Sequence, residues 1–280
     1  MALRILVTGA AGQLGSDVVR DAECRGHQVL APSHEEMDIT DGSAVSAFFE
    51  SKNPEAVIHC AAWTAVDDAE DHEAECRAVN VDGTHYLTEE CRKLNIPILY
   101  VSTDYVFSGE GNREWKVDSP VSPVNVYGKS KLDGEAVVRS HHKHFIVRIS
   151  WVFGMNGKNF IRTMLNLSKK TDTVRVVSDQ FGSPTYTYDL APLLCDMIES
   201  ESYGTYHAHN TGICTWYDVA VETFRAAEKT MNVVSIATDE YPMKAKRPKN
   251  SRMDTSSLTE AGFRQLPDWK DAVRRFVAAL

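Results

Sequence analysis

The segment most indicative of the fold is Thr8-Gly9-Ala10-Ala11-Gly12-Gln13-Leu14-Gly15. It follows an apolar run at residues 4–8 and opens an amphipathic segment at residues 13–24, so its glycines join a predicted strand to a predicted helix. Glycines at this spacing let the backbone approach a diphosphate at the positive end of the helix. This context predicts a dinucleotide site, and a glycine-rich turn without a ligand is the alternative. The expected cofactor contacts are Gly9, Gly12, Gln13, Leu14 and Gly15.

The first half of the chain alternates short β-branched runs with longer amphipathic stretches. Strands are predicted at residues 4–8, 28–31, 56–59, 98–102 and 145–149, and helices at residues 13–24, 42–51, 73–94 and 126–139. This alternation is typical of βαβ units, which build a parallel sheet with helices on both faces. The sequence therefore predicts an α/β fold with a Rossmann-type, doubly wound parallel sheet.

The regular alternation weakens after about Trp151. We expect residues 1–150 to form a dinucleotide-binding domain and residues 151–280 to form a smaller α/β domain that mainly binds substrate. One later apolar run, at residues 174–177, is predicted to rejoin the main sheet. The sequence shows no internal repeat and no low-complexity segment.

Composition argues against several classes of function. A net charge of −9 disfavours a nucleic-acid partner, although a small anionic ligand needs only local donors. No apolar run approaches the roughly 20 residues that span a bilayer, so no membrane partner is expected. The cysteines are scattered without a Cys-x-x-Cys pair, and residues 1–7 lead into a strand without a signal-peptide pattern. We therefore expect a cytoplasmic protein with reduced thiols.

Tyr127 and Lys131 are four residues apart on a predicted helix, so both side chains project from one face. A free phenol has a pKa of about 10, and a neighbouring ammonium lowers it, which makes tyrosine a usable proton donor to a nascent alkoxide. Thr103, at the end of the fourth predicted strand, would polarise the same carbonyl oxygen. A core tyrosine beside a solvated lysine is the alternative for the pair alone, but the glycine loop favours the catalytic interpretation.

The spacing G-x-x-G-x-x-G resembles that of the short-chain dehydrogenase/reductase superfamily. Residues 29–34, at the end of the second predicted strand, contain no acid that would hold a ribose 2′-hydroxyl. Because a missing carboxylate removes the repulsion against a 2′-phosphate, we expect NADPH, with NADH as the alternative. Asp38, followed by Ile39, resembles the adenine-side position of this superfamily; a turn that leads into a helix is the other interpretation.

Several segments, in the same order, resemble the dTDP-4-dehydrorhamnose reductase family over nearly the whole chain. They are residues 8–15, 61–67, 102–107, 125–131, 150–154, 179–185 and 247–252. Members of this family reduce the 4-keto group of dTDP-4-dehydro-L-rhamnose to dTDP-L-rhamnose for cell-surface polysaccharide. The resemblance implies the same nucleotide-sugar substrate for this chain.

The resemblance also implies roles for individual residues. The catalytic set would be Thr103, Asp104, Tyr127 and Lys131. The cofactor would contact Asp38, Ile39, Ala61, Ala62 and Asn80, together with Tyr127 and Lys131. The sugar would contact Thr64, Val66, Thr103, Tyr105 and Trp151.

Residues 244–252 form a basic segment in an acidic chain. They could grip the substrate diphosphate through charge-assisted hydrogen bonds, or they could form a solvated loop. The resemblance favours substrate binding, with Arg247 and Arg252 as the contacts. Some family members bind magnesium at a dimer interface, and Asp17 is near such a position. No further ligand is identifiable, so Mg2+ stays an open question, no metal ligand is predicted, and we expect a monomer or a homodimer.

Other functions remain as alternatives to this reductase. A nucleotide-sugar dehydratase would need an acid–base pair after the strand-four threonine, but Asp104 is followed by Tyr105. Another nucleotide-sugar reductase or an epimerase is possible, although such epimerases usually have longer chains. A non-catalytic, NADP-binding regulatory subunit, resembling that of methionine adenosyltransferase, would not need the intact set of Thr103, Tyr127 and Lys131.

Overall fold

The structure is a computed structural model that describes residues 2–280. Its strands are β1 (Arg4–Thr8), β2 (Gln28–Leu30), β3 (Ala56–His59), β4 (Ile98–Thr103), β5 (His144–Ile149), β6 (Val152–Phe153), β7 (Thr173–Val177), β8 (Phe181–Gly182), β9 (Thr185–Tyr186), β10 (Gly204–His207), β11 (Asn210–Thr211), β12 (Cys214–Thr215), β13 (Asn232–Ile236) and β14 (Leu266–Asp268). Its helices are α1 (Gln13–Cys24), α2 (Gly42–Lys52), α3 (Glu73–Arg77), α4 (Thr84–Leu94), α5 (Val126–Arg139), α6 (Phe160–Leu167), α7 (Thr187–Ile198), α8 (Trp216–Ala226), α9 (Ser256–Glu260) and α10 (Trp269–Ala278). Within residues 2–280, none of the helices combines the length and the apolar character that crossing a membrane requires.

The main sheet has the strand order β10-β5-β4-β3-β1-β2, and every neighbouring pair is parallel. The chain reverses its direction of travel at β1, which has β2 on one side and β3 on the other. In doubly wound sheets, ligands bind in the crevice at the carboxyl ends of the strands beside such a switch point. The predicted fold class is confirmed, and the sheet order places the glycine loop at this crevice.

Apolar residues cover both faces of the sheet because neighbouring side chains on a strand point in opposite directions. Ile5 and Val7 belong to the core that includes α1 and α7. Leu6, between them, belongs to the core that includes α2 and α4. These strand residues are fully buried, as expected for a parallel sheet between two helical layers.

The prediction that residues 174–177 rejoin the main sheet is wrong. They belong to β7, which pairs in parallel with β13 in a separate two-stranded sheet. Val174 and Val176 are buried whereas Thr173 and Arg175 are exposed, so β7 has only one apolar face to cover. The strand that does join the main sheet from the second half of the chain is β10, beside β5.

The helix predicted at residues 73–94 contains an irregular turn. A π-helical segment, Ala78–Gly83, separates α3 from α4. Single π-helical turns widen a helix locally and are frequent near functional sites. Here the turn presents the side chain of Asn80 to the loop that follows β3: Asn80 Oδ1 accepts a hydrogen bond from Trp63 N at 2.8 Å.

Candidate active site

The glycine loop is packed so tightly at Gly9 and Gly15 that neither position has room for a side chain. A Cβ atom on Gly15 would lie 2.1 Å from the carbonyl oxygen of Gly9, and Gly9 itself has φ +66°. A Cβ on Gly9 would also lie 2.7 Å from the amide nitrogen of Ala61, so the loop packs directly against the segment after β3. No side chain caps α1, whose N-cap is Gly12, so the first-turn amides are available to an anion.

The main cavity lies at the carboxyl ends of the central strands and has a volume of about 850 Å³. This is at the upper end of the range for small-molecule and cofactor sites, roughly 300–1,000 Å³. Most of the predicted site residues line it: Gly9, Gly12, Gln13, Leu14, Gly15, Asp38, Ile39, Ala61, Ala62, Thr64, Val66, Thr103, Asp104, Tyr105, Tyr127, Lys131 and Trp151. Three predicted residues are outside this lining, namely Asn80, Arg247 and Arg252.

At the end of the main cavity beside β2, residues 31–34, which follow the strand, contain no carboxylate. Pro32, Ser33 and His34 line this end. Asp38 also lines it, but its Oδ1 accepts hydrogen bonds from the amide and the hydroxyl of Thr40, at 2.9 and 2.8 Å. These bonds lower the pKa of Asp38, and they also fix the turn from Asp38 to Thr40.

Asn80 does not line the main cavity itself, but it holds segments that do. Besides accepting from Trp63, its Nδ2 donates to the carbonyl oxygen of Trp63 at 3.2 Å and to Ser130 Oγ at 2.9 Å. The side chain is buried. It therefore ties the cavity-lining segment after β3 to α5, the helix that carries Tyr127.

The predicted catalytic residues come together where β4 meets α5. Thr103 ends β4, and its hydroxyl donates to Asp104 Oδ1 at 3.0 Å and accepts from the amide of Tyr105 at 3.2 Å. Asn125 caps α5 by accepting from Gly128 N at 2.7 Å. This cap fixes the first turn of α5, from which Tyr127 faces the main cavity.

The expectation that the pKa of Tyr127 is lowered is wrong. Burial raises this pKa above its ordinary value, because a phenolate would lose its hydration, and the hydroxyl of Thr103 only partly opposes the effect. The Tyr127 phenol is therefore fully protonated at neutral pH. The protonated phenol is the form that can donate a proton to a nascent sugar alkoxide.

Lys131 is buried one turn further along α5. Burial lowers the pKa of its ammonium to about 7, and the negative charge of Glu135 opposes this shift. The Nζ atom lies 4.0 Å from the centre of the Tyr100 ring, close enough for a cation–π contact. The charge of Lys131 is thus poised to change near neutral pH.

A buried ion pair that the sequence did not reveal lies behind Tyr127 and Lys131. Glu135 accepts two hydrogen bonds from Arg148, both at 2.8 Å, and a third from Ser102 Oγ at 2.6 Å. The side chains of Glu135 and Arg148 are 0% and 3% exposed. Their residues are 13 positions apart on α5 and β5, so no helical spacing signals the contact. The network joins three elements behind the catalytic residues.

Asp104 is a buried acid with an unusual titration. Burial raises its pKa to about 6, while hydrogen bonds from Ser251 and Thr103 limit the rise. The hydroxyl of Ser251 donates to Asp104 Oδ2. Asp104 therefore connects the end of β4 to the C-terminal segment and titrates just below neutral pH.

Residues from the second half of the chain complete the main cavity, and sequence reasoning missed them. Lys158, Phe160, Pro184 and Trp216 all line it with Trp151. Trp216 stacks on Trp151 with ring centres 4.1 Å apart. A sequence signal for Trp216 exists: Thr215 and Asp218 form a capping box that starts α8 at this residue.

The two predicted arginines are outside the lining of the main cavity. Arg247 Nη2 donates to Asp67 Oδ2 at 2.6 Å, next to the cavity-lining Val66, and Arg247 lines a second cavity of about 640 Å³. Arg252 lies over the ring of Phe181, with its Cζ 4.2 Å from the ring centre. Both guanidinium groups are therefore engaged by contacts within the protein.

Asp17 does not fit a magnesium site. Its Oδ1 accepts from Arg20 at 2.6 Å, and its Oδ2 accepts from the hydroxyl of Thr187, so both oxygens are engaged. Over residues 2–280, no group of three or more histidine, cysteine, aspartate or glutamate side chains is arranged to hold a metal ion.

Comparison with known proteins gives matches over the whole chain. The family model described as the RmlD substrate binding domain matches residues 3–280. A dTDP-4-dehydrorhamnose reductase from Streptomyces griseus is 40% identical over 99% of this chain and 94% of that protein. A dTDP-4-keto-6-deoxy-D-glucose reductase from Streptomyces niveus is 36% identical over 96% of this chain and 95% of that protein.

A solved structure matches equally well. The crystal structure of dTDP-4-dehydrorhamnose reductase from Bacillus anthracis, in complex with NADP, superimposes with a TM-score of 0.97 and 36% identity, covering 100% of both chains. The family resemblance predicted from the sequence segments is therefore confirmed. From its glycine loop to its C-terminal helix, this chain belongs to the dTDP-4-dehydrorhamnose reductase family of NAD(P)H-dependent oxidoreductases.

Proposed function

We propose that this chain reduces the 4-keto group of dTDP-4-dehydro-L-rhamnose to dTDP-L-rhamnose, with NADPH as the reductant. The observation that carries the proposal is the convergence of Thr103, Tyr127 and Lys131 on the cavity that the glycine loop also lines. A proton donor and a dinucleotide loop in one cavity are what carbonyl reduction requires. The S. griseus and B. anthracis relatives are dTDP-4-dehydrorhamnose reductases, which supports this substrate.

The residues of the main cavity fit a nicotinamide dinucleotide. The close backbone packing at Gly9 and Gly15 and the uncapped start of α1 suit a diphosphate. The absence of an acid among residues 32–34 favours NADPH over NADH, and the B. anthracis relative binds NADP. When bound, the cofactor supplies the hydride that reduces the carbonyl carbon.

The side chains of the protein then handle the carbonyl oxygen. We assign Thr103 and Tyr127 as the two hydroxyls that hydrogen-bond this oxygen and so polarise the carbonyl. As negative charge develops there, Tyr127 donates its proton, which yields the sugar hydroxyl and a phenolate. The ammonium of Lys131 favours that phenolate electrostatically, and solvent returns the proton to Tyr127. When no substrate carbonyl oxygen accepts the hydrogen bond of the Thr103 hydroxyl, Asp104 accepts it and so holds that hydroxyl in position.

The rest of the substrate follows from the residues around this centre. We assign Thr64, Val66, Tyr105 and Trp151 to the sugar, and Arg247 with Arg252 to the diphosphate. The positive charge of Arg247 lowers the pKa of Tyr105 against the effect of burial, so the guanidinium is electrostatically close to the cavity wall. Within residues 2–280, Nη1 of Arg247 is buried without a hydrogen-bond partner, which suits a group that meets an anion.

The proposal includes the organisation and setting of the protein. Residues 1–150 bind mainly the dinucleotide and residues 151–280 mainly the substrate, although α7 and β10 also complete the sheet layers. All cysteines are free thiols, which supports a reducing, cytoplasmic location. We assign a monomer or a homodimer, and size-exclusion chromatography with light scattering distinguishes them.

The test is oxidation of NADPH and of NADH in the presence of dTDP-4-dehydrorhamnose, with NMR identification of the product. We expect turnover with NADPH, weaker turnover with NADH, and dTDP-L-rhamnose as the product. dTDP-4-keto-6-deoxy-D-glucose is the comparison substrate, because the S. niveus relative is named for its reduction. No turnover of either sugar by protein that binds NADPH would overturn the proposal and favour a non-catalytic subunit.

A further inference from the structure

Trp151 has a backbone conformation that a bulky residue adopts only under constraint. Its φ is +50°, in the left-handed region, two residues after the end of β5. Bulky side chains are rare there because Cβ crowds the backbone. Such a conformation persists when surrounding contacts over-determine it, and these positions cluster at functional sites.

Hydrogen bonds hold the backbone on both sides of this residue. The amide of Thr185 donates to the carbonyl oxygen of Trp151 at 3.2 Å. The hydroxyl of Thr185 donates to the carbonyl oxygen of Ser150 at 2.6 Å, and Ser150 Oγ donates to Ser183 O at 2.6 Å. The strained turn is therefore fastened to residues 183–185.

The indole of Trp151 lies in a narrow space, which we call the indole slot, between Trp216 and Gly182. The Trp151 and Trp216 rings are stacked, with centres 4.1 Å apart and planes inclined by 19°. A Cβ atom on Gly182 would come within 2.9 Å of Trp151 Cζ2 and 3.1 Å of Ser251 Cβ. Phe160 supports Trp216 from the side, with ring centres 4.7 Å apart. The slot has no room for a methyl group.

One short strand pair positions both walls of the indole slot. Gly182, in β8, lies opposite Cys214 in β12, and the antiparallel pairing continues at Phe181 and Thr215. Thr215 is the N-cap of α8, with a complete capping box, and Trp216 is the first residue of that helix. The two walls are therefore fixed relative to each other by backbone hydrogen bonds as well as by packing.

We infer that Trp216 and Gly182 are positioning residues for the reduction: the indole slot fixes the plane of Trp151, and that plane orients the keto-sugar toward Tyr127. The inference rests on the proposed function, because the oriented ligand is the sugar. Trp151, Trp216 and Phe160 all line the main cavity with Tyr127, so the slot forms part of the wall that faces the reacting carbonyl. Small misplacements of a reacting group lower reaction rates strongly.

The test compares Trp216→Leu and Gly182→Ala with wild type, and uses Val221→Ala as a control on the exposed side of α8. Two stacked indoles couple their transitions and give a paired circular-dichroism signal. We expect this signal in wild type and in the control, its loss in Trp216→Leu, and a change of shape in Gly182→Ala. We expect KM for the keto-sugar to rise about tenfold or more in both variants while KM for NADPH is unchanged. Trp216→Phe keeps an aromatic wall and should recover most of the loss.

The outcomes separate this inference from the proposed function. Wild-type turnover with an unchanged sugar KM and kcat in Trp216→Leu and Gly182→Ala overturns the inference and leaves the proposed function intact. Equal increases of KM for sugar and NADPH also overturn it, because they indicate general loosening. No wild-type turnover, together with an intact paired signal in wild type, contradicts the proposed function itself. Absence of the paired signal in folded wild-type protein would show that the Trp151 and Trp216 indoles are not stacked, and it would overturn the inference.

Discussion

Glu135→Gln removes a buried negative charge from the helix face that carries Lys131. Glu135 follows Lys131 by one turn of α5, and both side chains are buried. Its charge stabilises the ammonium of Lys131, whose pKa burial lowers to about 7. Without that charge, burial acts unopposed and the pKa of Lys131 falls further, by about one unit. The variant therefore loses its ammonium at a lower pH than wild type does.

The effect is visible in the pH profile of kcat/KM, which reports groups of the free enzyme. If the ammonium of Lys131 assists catalysis, wild-type kcat/KM declines as pH rises through about 7. In Glu135→Gln this alkaline limb should move to about pH 6, a shift of about one unit. Asp104 also titrates near this window, with a pKa of about 6, and Asp104→Asn identifies its contribution. Burial lowers the pKa of His59 to about 3 and raises that of Cys60 to about 12, so these two groups do not titrate in it. The pKa of the Cys76 thiol is also raised by burial.

The same change affects stability, so the assay needs a second variant. Glutamine can still accept from Ser102, but it leaves the guanidinium of Arg148 buried without a counter-charge, which costs about 3–5 kcal/mol. In a chain of this size we expect Tm to fall by about 10 °C. Glu135→Gln combined with Arg148→Met removes both charges and should recover most of the Tm while keeping the shifted pH limb.

Glu222→Gln is the matched control for the pH experiment. Glu222 is also a buried carboxylate, paired with Arg274 at 2.6 Å, but it is outside the main cavity. This variant should keep the wild-type alkaline limb. A wild-type limb in the folded double variant would show that Glu135 does not set the charge of Lys131.

Two further predictions concern the glycine loop and the buried acid. Gly15→Ala places a Cβ 2.1 Å from Gly9 O, whereas Gly12→Ala places its Cβ 3.1 Å from the same oxygen. We therefore expect the NADPH Kd, measured by fluorescence titration, to rise more for Gly15→Ala, by at least about tenfold. Equal NADPH affinities of the two variants would contradict the close packing. Asp104→Asn removes a group with a pKa of about 6, so the variant should lose the change of kcat/KM that ionisation of Asp104 causes near that pH. If kcat/KM of the variant followed the wild-type pH dependence below neutral pH, the ionisation of Asp104 would have no catalytic effect.

Local sequence was sufficient for the features that depend on short-range spacing. The glycine loop could be identified because a strand, three glycines and a helix are contiguous in the chain. Tyr127 and Lys131 could be placed on one face because four residues make about one helical turn. The sheet class followed from alternation of apolar runs, and the structure confirms it.

Features that depend on long-range competition could not be read from the sequence. The run at 174–177 is more apolar than Gly204–His207, yet the latter strand takes the place beside β5, where Tyr206 and His207 become buried. The choice depends on which segment has both faces covered, and that is a property of the assembled layers. The pairing of Trp151 with Trp216 is of the same kind, since 65 positions separate these residues in the numbering.

The chemistry of the site also needed the fold. The sequence suggested that Lys131 lowers the pKa of Tyr127, but burial dominates both groups: it raises the pKa of the phenol and lowers that of the ammonium. Burial is a tertiary property, and no spacing of residues encodes it. Glu135 and Arg148 likewise become partners only when α5 packs against β5.

The most direct test of the central claim is the turnover number of Tyr127→Phe at saturating NADPH and keto-sugar. Phenylalanine keeps the ring that packs against Tyr105 with centres 5.6 Å apart and removes only the proton donor. We expect kcat to fall by about a hundred- to ten-thousand-fold while the NADPH Kd, measured separately by titration, is unchanged. A kcat close to that of wild type would show that another group protonates the sugar oxygen and would contradict the assignment of Tyr127.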